Sequence, residues 1–238
     1  MTRVRAVLFD FGGTLFDYSA LAAGERDSIV ALARWAGTMV EPAVILRTYR
    51  AALKRVFYQY LPRPYYLHRD LFRDVLLVMA GDLKVTLTEE QLARYRALQY
   101  ERRERDFVLR EGVHEMLTAL RAHGCHLGIV SNADDDQFAH MVKLGQLEPY
   151  FDSLLSSEQA RSCKPDLAIF QEALRRADCA PEEALFVGDS LPQDIAGANR
   201  LGLQSVLIWS DANREPPAGE HRPRHVIRHL PALLELIS

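Results

Sequence analysis

The chain has 238 residues, 48% hydrophobic and 26% charged, and its 29 Lys+Arg against 32 Asp+Glu leave a formal charge of −3 at pH 7. That balance lacks the basic excess of a nucleic-acid binder, and a length near one and a half times the ~150 residues of a common domain buries a core without staples. Three widely spaced cysteines, Cys125, Cys163 and Cys179, with no CxxC pattern, fit a reduced compartment and exclude a disulfide scaffold or zinc module.

The first element is a strand, Val4–Phe9, apolar or β-branched almost throughout and ended by Asp10 before a Gly12-Gly13 turn. A continuous apolar run of this kind suits a strand buried on both faces of a parallel sheet. Its apolar stretch stops too early for a signal sequence, and no run approaches the ~20 residues of a membrane helix. A soluble, cytoplasmic protein with no membrane partner is the expectation.

From Asp17 to about Asp106 the strand signal disappears. Helical periodicity covers Ala20–Trp35, Pro42–Tyr60, Tyr66–Met79 and Thr88–Arg105, the last opening on the capping-box pattern Thr88-Glu89-Glu90-Gln91. Pro62-Arg63-Pro64 and Gly81-Asp82 read as turns. Beyond the insert the strand pattern returns in His126–Val130, Ala184–Val187 and Gln204–Trp209, with helices over Glu111–His123, Asp134–Leu144, Asp166–Ala177 and Pro192–Leu201. A surface loop over Arg214–Arg224 precedes a final short strand and helix. Short strands alternating with 10–15-residue helices give an α/β fold, a doubly wound parallel Rossmann-like sheet with an inserted all-α domain. The expected division is 1–17 with 107–238 for the sheet domain and 18–106 for the helical insert.

Ligands in open α/β sheets bind outside the carboxyl ends of the strands. The polar residues there are Asp10, Ser131-Asn132 and Asp189, joined by Lys164-Pro165 from the loop before a helix. Two carboxylates, one cation and a hydroxyl–amide pair suit a phosphate held with a hard divalent ion such as Mg²⁺. Asp134-Asp135-Asp136 is read instead as a solvated first helical turn. His221, His225 and His229 recur every four residues, but Pro223 interrupts them and no zinc site is assigned.

Asp10-Phe11-Gly12-Gly13-Thr14-Leu15, Ser131-Asn132, Lys164-Pro165 and Gly188-Asp189-Ser190 with Asp194 resemble the four ordered motifs of the haloacid dehalogenase-like hydrolase superfamily. The helical insert sits where that superfamily carries its C1-type cap. The resemblance implies Asp10 as nucleophile, forming an aspartyl-phosphate that water hydrolyses. It implies Asp10, the Gly12 carbonyl and Asp189 as Mg²⁺ ligands, with Asp194 acidic and near the metal. Ser131, Asn132 and Lys164 would bind the transferring phosphoryl group, Lys164 also orienting the nucleophile. Only four lysines stand beside 25 arginines, which singles out Lys164 further.

One position departs from the phosphatase pattern. Members of that kind carry a second Asp two residues after the nucleophile as general acid and base; here it is Gly12. General acid–base catalysis is worth ~10²–10⁴-fold, so three ways out are open: a good leaving group, a cap side chain in that role, or a different reaction. Tyr65, Tyr66 and His68 are cap candidates for that task, and Arg63, Tyr65 and His68 for substrate selection. The leading reading is a Mg²⁺-dependent phosphatase of a small phosphorylated metabolite, monomeric or homodimeric. The alternatives are a 2-haloacid dehalogenase, a phosphonate hydrolase using an insert lysine (Lys54 or Lys84), and a binding protein that has lost its chemistry.

Overall fold

A computed structural model describes residues 3–210 and 221–237. Most of the expected loop 214–224 therefore lies outside the described residues. The chain divides into two compact units, 1–17 with 108–238, and 18–107.

The first unit holds six strands: β1 Ala6–Phe9, β2 His126–Ser131, β3 Ser153–Ser156, β4 Ala184–Gly188, β5 Gln204–Ile208 and β6 His225–Ile227. They form one sheet in the order β3-β2-β1-β4-β5-β6, every neighbouring pair parallel. The chain fills one side of β1 with β2 and β3, then crosses back to place β4 on the other side. That reversal creates the crevice at the carboxyl ends where such sheets bind ligands. Every residue of β1 and β4 is buried, which is why both read as unbroken apolar runs. Helices α5 (Val113–Ala122), α6 (Asp135–Leu144), α7 (Ser157–Ala160), α8 (Leu167–Ala177) and α9 (Ala196–Leu201) connect the strands. Ile169, Phe170 and Ala173 of α8 pack onto Ala6, Leu8, Val130 and Phe186 of the sheet.

Several differences from the sequence reading have local causes. β1 starts at Ala6 rather than Val4. β3 had no counterpart in the reading; it is only four residues, Ser-Leu-Leu-Ser, and takes its extended form from pairing with β2. The helix expected over Pro192–Leu201 is a π turn, Leu191–Ile195, feeding α9. In Asp134-Asp135-Asp136 the last two are exposed as expected, but Asp134 is buried.

The second unit comprises α1 (Tyr18–Trp35), α2 (Pro42–Tyr60), α3 (His68–Asp82) and α4 (Glu89–Asp106). α1 packs on α4 and α2 on α3 around Ile29, Leu32, Ile45, Val56, Leu71, Val75 and Met79. The capping box forms as read: Thr88 Oγ1 accepts from Gln91 N at 3.2 Å, and Thr88 N donates to Gln91 Oε1 at 2.9 Å. Gly81-Asp82 is not a turn but the last residues of α3; the reversal comes at Lys84, with φ +58°. Among the described residues no helix is long and apolar enough to cross a membrane.

Candidate active site

Asp10 follows β1 directly, at the sheet's point of reversal, and its main-chain N–H donates to Val187 O at 2.8 Å. Its carboxylate is almost wholly buried, with one oxygen taken by Lys164 Nζ at 2.6 Å and the other by Thr14 Oγ1 at 2.9 Å. The loop behind it is compact. Phe11 stacks edge-on against Phe16 and Phe138 at 5.0 and 5.7 Å, while Leu15 N donates to Phe11 O at 2.9 Å.

Lys164 arrives from a different direction, in the loop between α7 and α8. Asn132, just past the end of β2, holds that loop through two reciprocal bonds. Lys164 N donates to Asn132 Oδ1 at 2.7 Å, and Asn132 Nδ2 donates to Lys164 O at 3.0 Å. The amide oxygen and one amide N–H are thus committed to the Lys164 backbone. The structure gives this side chain a task the sequence reading did not include, alongside the phosphoryl contact expected of it. Ser162 Oγ donates to Asp166 Oδ1 at 2.7 Å and accepts from Ile169 N at 3.2 Å, fixing the other end of the loop to α8.

The Lys164 ammonium lies between two carboxylates, 2.6 Å from Asp10 and 2.8 Å from Asp194, with only 1% of its side chain exposed. Burial alone would depress its pKa; Asp10 and Asp194 outweigh that and hold it above the usual lysine range. Asp194 is drawn in by the π turn, and its other oxygen accepts from Ser190 N at 3.0 Å. Gly188 makes room for it, since a Cβ there would stand 2.4 Å from the Asp194 side chain. Burial, partly offset by Lys164, pushes Asp194 up to about 6.

Asp189 completes the cluster from the end of β4. Burial, followed by repulsion from Asp10 and Asp194, pushes its carboxyl up to about 7. It rests against Gly13, whose φ is +86° and where an added Cβ would fall 2.1 Å from Asp189 Oδ2. Only glycine meets both demands.

Carboxylate oxygens of Asp10, Asp189 and Asp194 lie within 4.8 Å of one another. Three carboxylates around one ammonium leave an excess of negative charge, and all the donors are hard oxygens, so the residues present fit a divalent ion such as Mg²⁺. Each of Asp10, Asp189 and Asp194 could offer such an ion one carboxylate oxygen. Ser131 ends β2, buried and in register with Ser156 of β3.

Several contributors escaped the sequence reading. Thr14 was part of a motif but had no assigned contact. Ser157, after β3, both accepts from Ala133 N and donates to Ala133 O at 3.1 Å, and Glu158 Oε2 accepts from Asp135 N at 2.9 Å. These bonds tie down the loop behind Ser131 and Asn132. The serine-rich run Ser153–Ser157 was the available signal. Arg63, Tyr65 and His68 belong to the helical unit. There Arg63 lies over the Tyr60 ring at 4.0 Å, His68 opens α3 beside Tyr66 with ring centroids 5.0 Å apart, and Tyr65 is partly exposed between them.

Residues 7–208 match the family model of haloacid dehalogenase-like hydrolases. The chain belongs to that family. A ribulose-1,5-bisphosphate 5-phosphatase from Halopiger xanaduensis is 29% identical over 252 residues, covering 98% of this chain and 99% of that one. A glyceraldehyde 3-phosphate phosphatase from Methanothermobacter thermautotrophicus is 35% identical over 96 residues, which span 40% of this chain and 42% of that relative. Among solved structures, a 2-haloacid dehalogenase from Pseudomonas syringae pv. Tomato superposes with a TM-score of 0.72 at 26% identity over 98% of each chain. This haloacid dehalogenase-like hydrolase thus has both phosphatases and dehalogenases among its relatives, and the distinction rests on the site.

Proposed function

We propose that the chain is a Mg²⁺-dependent phosphohydrolase of a small phosphorylated metabolite, working through a phosphoryl group carried on Asp10. The observation that carries this reading is the Asp10 carboxylate, held at 2.6 Å by a buried lysine inside a cluster of three acids. A metal-free substitution at carbon would gain nothing from packing Asp189 against Asp10, a placement that raises the energy of both charges unless a cation joins them.

In this reading an Asp10 oxygen attacks phosphorus as the bond to the leaving oxygen breaks, and water then attacks the aspartyl-phosphate, returning the carboxylate and releasing phosphate. Lys164 and Thr14 orient the carboxylate so that one face is presented to phosphorus. Lys164 and the Ser131 hydroxyl offer donors to the phosphoryl oxygens as charge spreads over them. Asn132 serves by fixing the lysine loop and with its remaining N–H. A bound divalent ion, held by Asp10, Asp189 and the Gly12 carbonyl with Asp194 behind them, would neutralise charge on the phosphoryl group. Gly12 supplies no side chain for proton transfer, so the leaving group must depart with little help, as from an acyl phosphate or an acidic alcohol. Substrate choice is assigned to the insert 18–107 as a cap, with Arg63, Tyr65 and His68 as contact residues. The three cysteines, none of them in a disulfide, suit a reducing, cytoplasmic setting.

The test is turnover of a phosphometabolite panel that includes acyl and sugar phosphates, with and without Mg²⁺, and Asp10→Asn as control. No turnover by folded protein across the panel sinks the proposal. The absence of a carboxylate at Gly12 also favours a second reading, 2-haloacid dehalogenation. Halide release that survives a chelator would establish that reading instead.

A further inference from the structure

The chain leaves the sheet-containing unit after Asp17 and re-enters it at Val108. Arg110 stands at that re-entry, and its side chain, 19% exposed, turns back toward the loop behind Asp10. One guanidinium nitrogen, Nη2, donates to Gly13 O at 2.7 Å and lies 3.2 Å from Asp17 Oδ2. Its main-chain N–H donates to Leu15 O at 2.9 Å, and a bridge between Phe16 and Leu109 extends the same contact. A single residue therefore holds three members of the segment 13–17.

The segment needs holding. Gly12 and Gly13 are adjacent, and two successive glycines have the largest choice of backbone conformations to lose. Yet Gly13 must stay at φ +86° with its Cα hard against the Asp189 carboxylate. A charge-assisted bond to the Gly13 carbonyl is about twice as strong as a neutral one, and the anionic Asp17 keeps the guanidinium in place.

We propose that Arg110 is a positioning residue for the divalent-ion site: by pinning the Gly13 carbonyl to Asp17 it keeps the Gly12-Gly13 backbone seated on Asp189 and so sets the affinity for the ion. The proposal rests on the Mg²⁺ dependence assigned above but not on the substrate or on turnover. Arg110 touches no reacting atom in this scheme.

The experiment is a calorimetric Mg²⁺ titration, paired with melting curves without the ion, on wild type, Arg110→Met and Arg110→Lys, with Asp189→Asn as the loss-of-site control. Methionine keeps an apolar stem for packing and removes every side-chain donor, leaving the main-chain bond to Leu15 O in place. The expected result is an ion-free melting temperature within a few degrees of wild type and a Mg²⁺ Kd raised roughly 10–100-fold, the range typical when a residue supporting metal ligands is lost. Arg110→Lys, which can reach one acceptor, should fall between. Should Arg110→Met not fold, Arg110→Lys decides: a raised Kd supports the role and a wild-type Kd overturns it. A wild-type Kd in folded Arg110→Met also overturns it. A wild type with no Mg²⁺ response overturns the ion reading and this proposal together, whereas absent turnover with intact Mg²⁺ binding strikes the phosphohydrolase reading and leaves this proposal standing.

Discussion

Asn132 and Lys164 are 32 positions apart and close a two-bond ring, side chain to backbone, at 2.7 and 3.0 Å. The ring sets where the Lys164 side chain departs toward Asp10. Asn132→Ala should cost about 1–3 kcal/mol, since it strands a part-buried N–H and carbonyl. It should lower kcat by roughly 10–100-fold, as loss of a residue supporting functional groups does. Denaturant melts and steady-state kinetics check both, and a variant with wild-type kcat would show that the loop holds itself.

Lys164→Met removes the one ammonium between Asp10 and Asp194. Breaking a buried pair from one side typically costs about 3–5 kcal/mol, because charge is left uncompensated. Turnover should drop at least ~10²-fold with the loss of a donor to the transition state. Lys164→Arg should not rescue it, because the planar fork is larger than an ammonium and the side chain is 99% enclosed. Urea unfolding and kcat for the two variants side by side supply the check.

Gly13 and Gly37 make a matched pair. Both have positive φ, +86° and +92°, but a Cβ at Gly37 meets nothing within 4 Å while one at Gly13 strikes Asp189. Each alanine variant should lose about 1–2 kcal/mol from the left-handed backbone. Only Gly13→Ala should also lose activity, by about 10²-fold, the scale of a ~1 Å misplacement in an active site. Equal activities in the two variants would show that the Asp189 contact is dispensable.

Divalent-ion binding should appear as stability. At [Mg²⁺] near 100 times its Kd the sheet-containing unit should gain about 2.7 kcal/mol, roughly 5–10 °C in Tm for a chain of this size. Asp189→Asn should abolish the gain. A melting temperature unmoved by Mg²⁺ in the wild type would remove the ion from the scheme.

What was legible in the sequence follows from where each signal is stored. β1, β2 and β4 are buried on both faces, so their composition alone marks them, and the polar residue ending each run marks the site. β3 has only two apolar residues between serines, and nothing but its partner β2 makes it a strand. Thr88 and Gln91 announce a helix start because the capping box is local. Gly81 misleads because a glycine near a helix end resembles a turn, though α3 tolerates it. The contacts that assemble the site are long-range: Arg110 is 97 positions from Gly13 and Lys164 is 154 from Asp10. Neither separation leaves a local trace; Lys164 was marked by its place in the loop before α8, by the rarity of lysine and by the family motif, whereas nothing pointed to Arg110.

The burial of Lys164 also divides the amines of this chain into two populations. Lys54, Lys84 and Lys143 are exposed, whereas Lys164 is enclosed and held protonated by two acids. An acylating reagent needs an accessible amine, so among the lysines it will modify the three on the surface and leave Lys164 untouched. The scarcity of lysine then becomes practical: lysine-directed tethering or dye-labelling falls on a few known places away from Lys164.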